Sequence, residues 1–341
     1  MIEILECQMP VSFQDAGRAG YRHLGVPLSG ALDIEWLAIA NALAGNPPAT
    51  AALEVRLLGP TLRAGTPVTI ALAGEFSARI EDADGQSREA GNWRSHALDA
   101  GEILVTGNLR GGIGYLAVHG GFDLPAVLGS RSTYARAGLG GIDGRALQAG
   151  DCIGVGAGGT SISLRLPQVP RLPDGPLRVI AGPQREHFTD AAWERFISEE
   201  FTVSRAADRM GLRLEGPRID HDPGRGADIV SDAVTPGVIQ VPGDGHPIIL
   251  LADCQTVGGY PKIATLIAAD MPRLGHALPG QKLRFVEVSL AQALAARRQA
   301  VSALAECVAS MVSGGIDFSL DALYATNLID GVIDARHEDQ P

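Results

Sequence analysis

Lysine occurs at only two positions in this 341-residue chain, Lys262 and Lys282. Lys262 closes the run Asp253-Cys254-Gln255-Thr256-Val257-Gly258-Gly259-Tyr260-Pro261-Lys262. Carboxylate, amide and hydroxyl precede a glycine pair that permits close backbone approach, and the ammonium adds a compact positive charge. The aliphatic residues 248–252 just before it read as a buried strand, so the polar groups would be delivered from a rigid support. Such density on a loop points to a site, although a tight turn with exposed polar groups would be written the same way.

Two more stretches combine glycine, hydroxyls and charge. Residues 13–33 carry Arg22, His23 and then Ser29-Gly30 just ahead of an apolar-periodic segment. Free amides at a helix start would favour an anion there, and a capped helix after an ordered loop fits equally well. His119-Gly120-Gly121-Phe122-Asp123 leads to Gly129-Ser130-Arg131-Ser132-Thr133-Tyr134. Arg131 among hydroxyls could fork onto a carboxylate or phosphate, or form an ordinary internal ion pair.

Other chemistries find no support. Gly154-Val155-Gly156-Ala157-Gly158-Gly159 satisfies G-x-G-x-x-G, but Thr160-Ser161-Ile162-Ser163-Leu164 follows rather than a helix, so a linker is expected. There is no P-loop and no G-x-S-x-G elbow. The histidines never take a metal-ligand spacing, and Cys7, Cys152, Cys254 and Cys307 lie too far apart for a zinc site or disulfide frame; no metal site is expected.

The elements that must position these stretches are mostly strands. Glycine (43) and proline (21) punctuate short Val/Ile/Leu runs, as in β-barrels and sandwiches. Strands are predicted at 2–7, 53–57, 68–73, 103–105, 114–118, 177–180, 211–214, 238–241, 248–252 and 282–287. Helices are predicted from about Ala31 to Ala44 with Ser29 as cap, from Thr189 with a Phe188/Trp193 staple, and from Leu290 to Met311. The last opens with a Ser289/Gln292 capping box, and Leu290, Leu294, Val301, Leu304, Val308 and Met311 form one stripe.

The strand and Gly-Pro turn of 53–60 is echoed at 210–217, and the turn of 98–102 at 147–151 and 278–282. Two related barrels follow, over 1–160 and 176–287, joined by a Gly/Ser/Pro-rich linker at 156–176 and followed by a helical tail over 288–341. The length favours two units over one core.

The net charge of −11 and the lack of a basic run argue against nucleic acid. No apolar run approaches the roughly 20 residues of a membrane span. The acidic start, without a signal-peptide core, places the protein in the cytoplasm.

The chain resembles the KipA/PxpC family, also described as allophanate hydrolase subunit 2 or as the larger half of a urea-carboxylase-type, biotin-dependent carboxyltransferase domain. The resemblance rests on Gln14-Asp15-x-Gly17-Arg18-x-Gly20-Tyr21, Gly25-Val26-Pro27-x-Ser29-Gly30-Ala31-x-Asp33, Asn41-x-Leu43-x-Gly45-Asn46, Leu53-Glu54 and Gly59-Pro60. It continues through 120–123, 128–133, 182–184, Asp208-Arg209-Met210-Gly211 and 253–262, covering nearly all of residues 2–286. The segment 327–335 looks like the end of longer members.

The resemblance implies a mainly β fold of two cyclophilin-like β-barrel domains with a few helices and a helical C-terminal tail. The activity it implies is that of an ATP-dependent amide (lactam) hydrolase subunit, opening 5-oxoproline to glutamate and inactive without a KipI/PxpB-like partner. A LamB/YcsF-like PxpA subunit joins them. Phosphorylation by ATP would make the lactam oxygen a better leaving group, and preorganised donors would meet the growing negative charge.

On this reading Lys262, Arg131 and the Ser29-Gly30 amides are donors, Asp253 or Glu54 handles protons or Mg2+, and Gln255 completes the catalytic set. His23, Ser132, Thr256, Gly258, Gly259 and Tyr260 contribute to substrate or nucleotide binding. Alternatives are carboxyl transfer from carboxybiotin to urea or a related amide, and a non-catalytic role relieving KipI inhibition of a sensor kinase.

Overall fold

The computed structural model describes residues 1–156 and 163–314. Among these the chain is mainly β with four α-helices, as expected. Residues 2–155 build two seven-stranded sheets around one core. The first runs in the order 122–123, 152–155, 2–6, 61–64, 103–105, 79–81, 87–89. The second begins 12–14, 52–55, 109–118, 68–76, 94–98, and its long central pair carries a register shift between Arg110 and Tyr115.

Residues 177–287 form an eight-stranded sheet. It is antiparallel throughout, except that Phe285–Glu287 runs parallel to Leu177–Val179. Each predicted strand is present, though 282–287 splits: Lys282–Leu283 pairs with Phe201–Thr202, and Phe285–Glu287 pairs elsewhere.

The echoed turns have a common geometry. Glu102, Asp151 and Gln281 each donate a backbone N–H to the residue three before, at 3.1, 3.2 and 3.0 Å. Gly101, Gly150 and Gly280 occupy the third turn position with φ of 93°, 91° and 87°. That is the type II turn, whose third position favours glycine.

The helices follow their caps. Helix α2, Asp190–Ser198, is capped by Thr189, and Phe188 and Trp193 are both buried in one cluster. Between α2 and the last helix lies the short α3, Met271–Gly275. Helix α4, Leu290–Ala309, has the full Ser289/Gln292 capping box, but it stops two residues short of the expected Met311.

The expected α4 stripe is not its buried face. Leu290, Leu294 and Val301 are exposed, whereas Ala293, Ala296 and Ala300 pack beside Ile267 and Ala269, because small side chains allow the closer approach.

Helix α1 departs from expectation at its start. It spans Ile34–Leu43, and its cap is Asp33, which accepts N–H donors of Glu35 and Trp36 at 2.9 Å each. Ser29 is therefore not the cap, and the Ser29-Gly30 amides do not open a helix.

The linker is also more ordered than expected. Leu164–Arg165 joins the second sheet between Arg94 and Val312–Ser313, so the chain returns to this sheet after α4. Part of the glycine run, 157–159, and the segment 327–335 lie outside the described residues.

The two halves meet on one core that includes Trp36, Ile39 and Tyr115 from the first half and Val179, Phe196 and Ile249 from the second. Gly112, at φ +93°, makes the approach possible: a Cβ there would come within 2.6 Å of the His276 carbonyl. Among the described residues no helix is long and apolar enough to cross a membrane.

Candidate active site

The Ile248–Leu250 strand leads into Asp253, and the backbone of Arg209 accepts the Asp253 N–H at 3.0 Å. The Ser29-Gly30 turn lies against this segment: the Ser29 N–H donates to the Ala252 carbonyl at 2.9 Å, and its hydroxyl lies 2.8 Å from Asp253 Oδ1 and 3.2 Å from the Thr133 carbonyl. Both turn residues have positive φ, 54° and 88°. The three stretches singled out in the sequence thus meet around one hydroxyl.

Arg209 fastens this junction. Its Nε donates to Asp253 Oδ2 at 2.9 Å, one Nη donates to Glu54, and the other reaches the Gly30 carbonyl at 2.6 Å. Burial opposes its charge, but Glu54 and Asp253 outweigh burial and raise the guanidinium above its ordinary value.

Glu54 Oε2 accepts the Leu32 N–H and the Tyr115 hydroxyl, both at 2.8 Å. Tyr115 in turn accepts the Asp33 N–H at 2.9 Å, and Asp33 Oδ2 lies 2.8 Å from His276 Nε2. Burial first, then Glu54 and Asp33, push the phenol well above its usual range, so it stays a neutral donor. A continuous polar chain therefore runs through the core from Ser29 to His276.

A second buried carboxylate frames the Arg131 stretch. Asp15 Oδ1 accepts from Gly17 N, Ser130 Oγ and Ser132 Oγ at 2.8, 2.7 and 2.5 Å, and its Oδ2 accepts the Arg131 N–H at 2.6 Å. The Arg131 side chain turns away, its Nε donating to the Leu124 carbonyl at 2.8 Å.

Lys262 belongs to a neighbouring cluster. It opens the Lys262–Leu266 strand, and its buried Nζ donates to Asp232 and, at 2.9 Å, to the Ala233 carbonyl. Asp232–Ala233 pairs with Val257–Gly258 as a two-stranded ribbon, which ties the glycine pair to the lysine. The Gln255 amide reaches Gln240 at 3.4 Å, and Gly258 lies so close to Gln240 that a Cβ would come within 2.6 Å of its amide nitrogen.

Arg22 joins the clusters, donating to the Val234 carbonyl and, at 3.3 Å, to that of Gln255. Thr256 and Tyr260 are at least partly open to solvent, and His23 is exposed beside Arg22. Burial raises the Cys254 thiol despite Arg22, which keeps it protonated and a poor nucleophile.

Sequence reasoning missed Arg209, Tyr115, Asp15, Arg22, Gln240 and Asp232 as members of these clusters. The only signal for Arg209 and Asp15 was their place in motifs carried by the family resemblance.

The donor set does not fit Mg2+ or a nucleotide phosphate at the junction. The oxygens of Asp253 and Glu54 are taken up by Arg209, Ser29, Leu32 and Tyr115, and among the described residues no group of three or more His, Cys, Asp or Glu is placed to hold a metal. What the arrangement can do is present the Gln255–Tyr260 loop, with Lys262 beneath it, from two barrels locked together.

Two barrels joined through a buried arginine–carboxylate lock define a carboxyltransferase-type domain: the chain belongs to the carboxyltransferase domain family, subdomains A and B, which it matches over residues 24–287. It is 38% identical over 301 residues to the C-type subunit of 5-oxoprolinase from Escherichia coli (strain K12), a match covering 87% of this chain and 94% of that protein. It is also 31% identical over 309 residues to the urea amidolyase of Saccharomyces cerevisiae (strain ATCC 204508 / S288c), covering 84% of this chain but 17% of that one. The crystal structure of the K. lactis urea amidolyase superposes with a TM-score of 0.80 at 27% identity, covering 94% of this chain and 20% of that chain.

Proposed function

We propose that this chain is the C-type subunit of an ATP-dependent 5-oxoprolinase, the cytoplasmic complex that opens 5-oxoproline to glutamate. The observation that carries the reading is its match along almost the whole length of the E. coli 5-oxoprolinase polypeptide, whereas it corresponds to a small part of a urea amidolyase. Its partners are a KipI/PxpB-like subunit and a LamB/YcsF-like PxpA subunit.

Within the complex this chain supplies binding groups for the lactam. Lys262 balances negative charge, Gln255 and Thr256 pair with the amide, and the Gly258-Gly259 backbone, with Tyr260 beside it, allows close approach. Asp253, Glu54, Ser29, Gly30, Ser132 and Arg131 hold the frame. With the junction carboxylates saturated, ATP and Mg2+ are held by a partner subunit.

The test omits one component at a time from the purified subunits with ATP, Mg2+ and 5-oxoproline and measures glutamate. Formation only when this chain is present supports the proposal, and an equal rate without it refutes it. The second reading, carboxyl transfer to urea or a related amide, rests on the family match and the urea amidolyase relatives. Carboxylation of urea by this chain with a biotinylated carrier, alongside no glutamate in the first assay, would favour it.

A further inference from the structure

The largest cleft lies away from the stretches described above. It has a volume of about 700 Å³ and is walled by α1, residues 168–173, the start of α3 and α4. That volume is in the range that takes up a small organic ligand. One wall is apolar, formed by Trp36, Ile39, Pro272, Ala300 and Leu304.

The other end carries Arg178 and Arg273. Arg178 donates its Nε and Nη2 to the fully buried Asp270, at 3.1 and 2.6 Å. Arg273 lies 3.7 Å from the same carboxylate, and its Nη donors are held by the Gly175 and Pro176 carbonyls. Two guanidiniums thus share one carboxylate, which leaves one fixed positive charge at this end. Asp174 lies beyond Arg273 and lines the adjoining cleft instead. At the mouth Arg171 and Glu306, both exposed, offset each other. Glu35 stands on the α1 side, with Asp33 and Arg297 as its charged neighbours.

We infer that this cleft binds an organic monoanion with an apolar body, its acid group against Arg178 and Arg273 and its body against Trp36 and the α4 alanines. Planar guanidiniums held by other bonds are prepared for a carboxylate without further ordering, and the apolar wall rewards a body that leaves water. The inference is independent of the proposed 5-oxoprolinase role, because none of the wall residues belongs to the 253–262 loop or its frame.

Trp36 gives the readout. The full-length chain is titrated with phenylacetate, 4-phenylbutyrate and octanoate while tryptophan emission is followed, and the uncharged amide of each serves as control. At least one acid should give a saturable change and bind at least tenfold more tightly than its amide. Ala300→Trp, which fills the cleft from α4, should abolish the change while circular dichroism stays native, and Ala303→Trp at the mouth provides the same block if the first variant does not fold. No saturable binding of any acid, equal binding of acid and amide, or undiminished binding to a folded blocked variant would each overturn the inference.

Discussion

Replacing Arg209 with Met tests how the two barrels are joined. The substitution keeps most of the side-chain length but removes the donors to Glu54, Asp253 and the Gly30 carbonyl. The side chains of Glu54 and Asp253 are 3% and 11% exposed, so water cannot replace the lost partner. Breaking a buried ion pair from one side costs about 3–5 kcal/mol, because it strands a charge in a poorly solvated site. For a protein of this size that corresponds to a fall in melting temperature of roughly 6–15 °C.

The assay is a urea titration followed by circular dichroism, run as a double-mutant cycle with Glu54→Gln. If the pair acts as described, the double variant recovers part of the loss, with a coupling of about 1–3 kcal/mol. A loss below about 1 kcal/mol in Arg209→Met, or additivity in the cycle, would refute the idea that this arginine locks the halves.

Other expectations follow from single positions. Burial, then Asp33, raises the Glu35 carboxyl from 4.5 to about 6, against a lowering by Arg297. A carboxyl raised on folding binds its proton more tightly in the native state, so its ionisation removes stability as pH climbs from about 4.5 to 6. That rise corresponds to about 2 kcal/mol, halved for partial exposure, so Glu35→Gln should be more stable than the parent by about 1 kcal/mol at pH 8 and indistinguishable at pH 4 in urea titrations. Gly280→Ala should cost about 1–2 kcal/mol, since φ is +87° but no atom lies within 4 Å of the new Cβ. Gly140→Ala should cost more, measured the same way, because its Cβ would strike the Ser132 carbonyl and Arg18. Isothermal titration should detect ATP binding to the assembled complex but not to this chain alone.

Local signals carried most of the fold. The Ser289/Gln292 box, the Thr189 cap and the Gly101, Gly150 and Gly280 turns are decided by neighbours a few residues apart, and the structure has them where the chain spells them. The α1 cap failed because Ser29 and Asp33 are both good caps, and the choice depends on Ser29 being drawn across to Ala252. The α4 stripe failed because its hydrophobic spacing says which residues share a face, not which face meets the barrel. The junction itself was hidden: Arg209 meets Glu54 from 155 residues away and Lys262 meets Asp232 from 30, and no local pattern encodes such pairings. Motif resemblance marked the stretches without saying which side chains within them face each other.

The part given to Lys262 is the most exposed to test. In the reconstituted complex, Lys262→Met should lower kcat/KM for 5-oxoproline at least thirtyfold, with the melting temperature held within a few degrees, since its partner Asp232 is 53% exposed and regains water when the ammonium is lost. Asp232→Asn should keep most of the activity. Unchanged kinetics in a folded Lys262→Met variant would contradict the placement of the lactam at this loop.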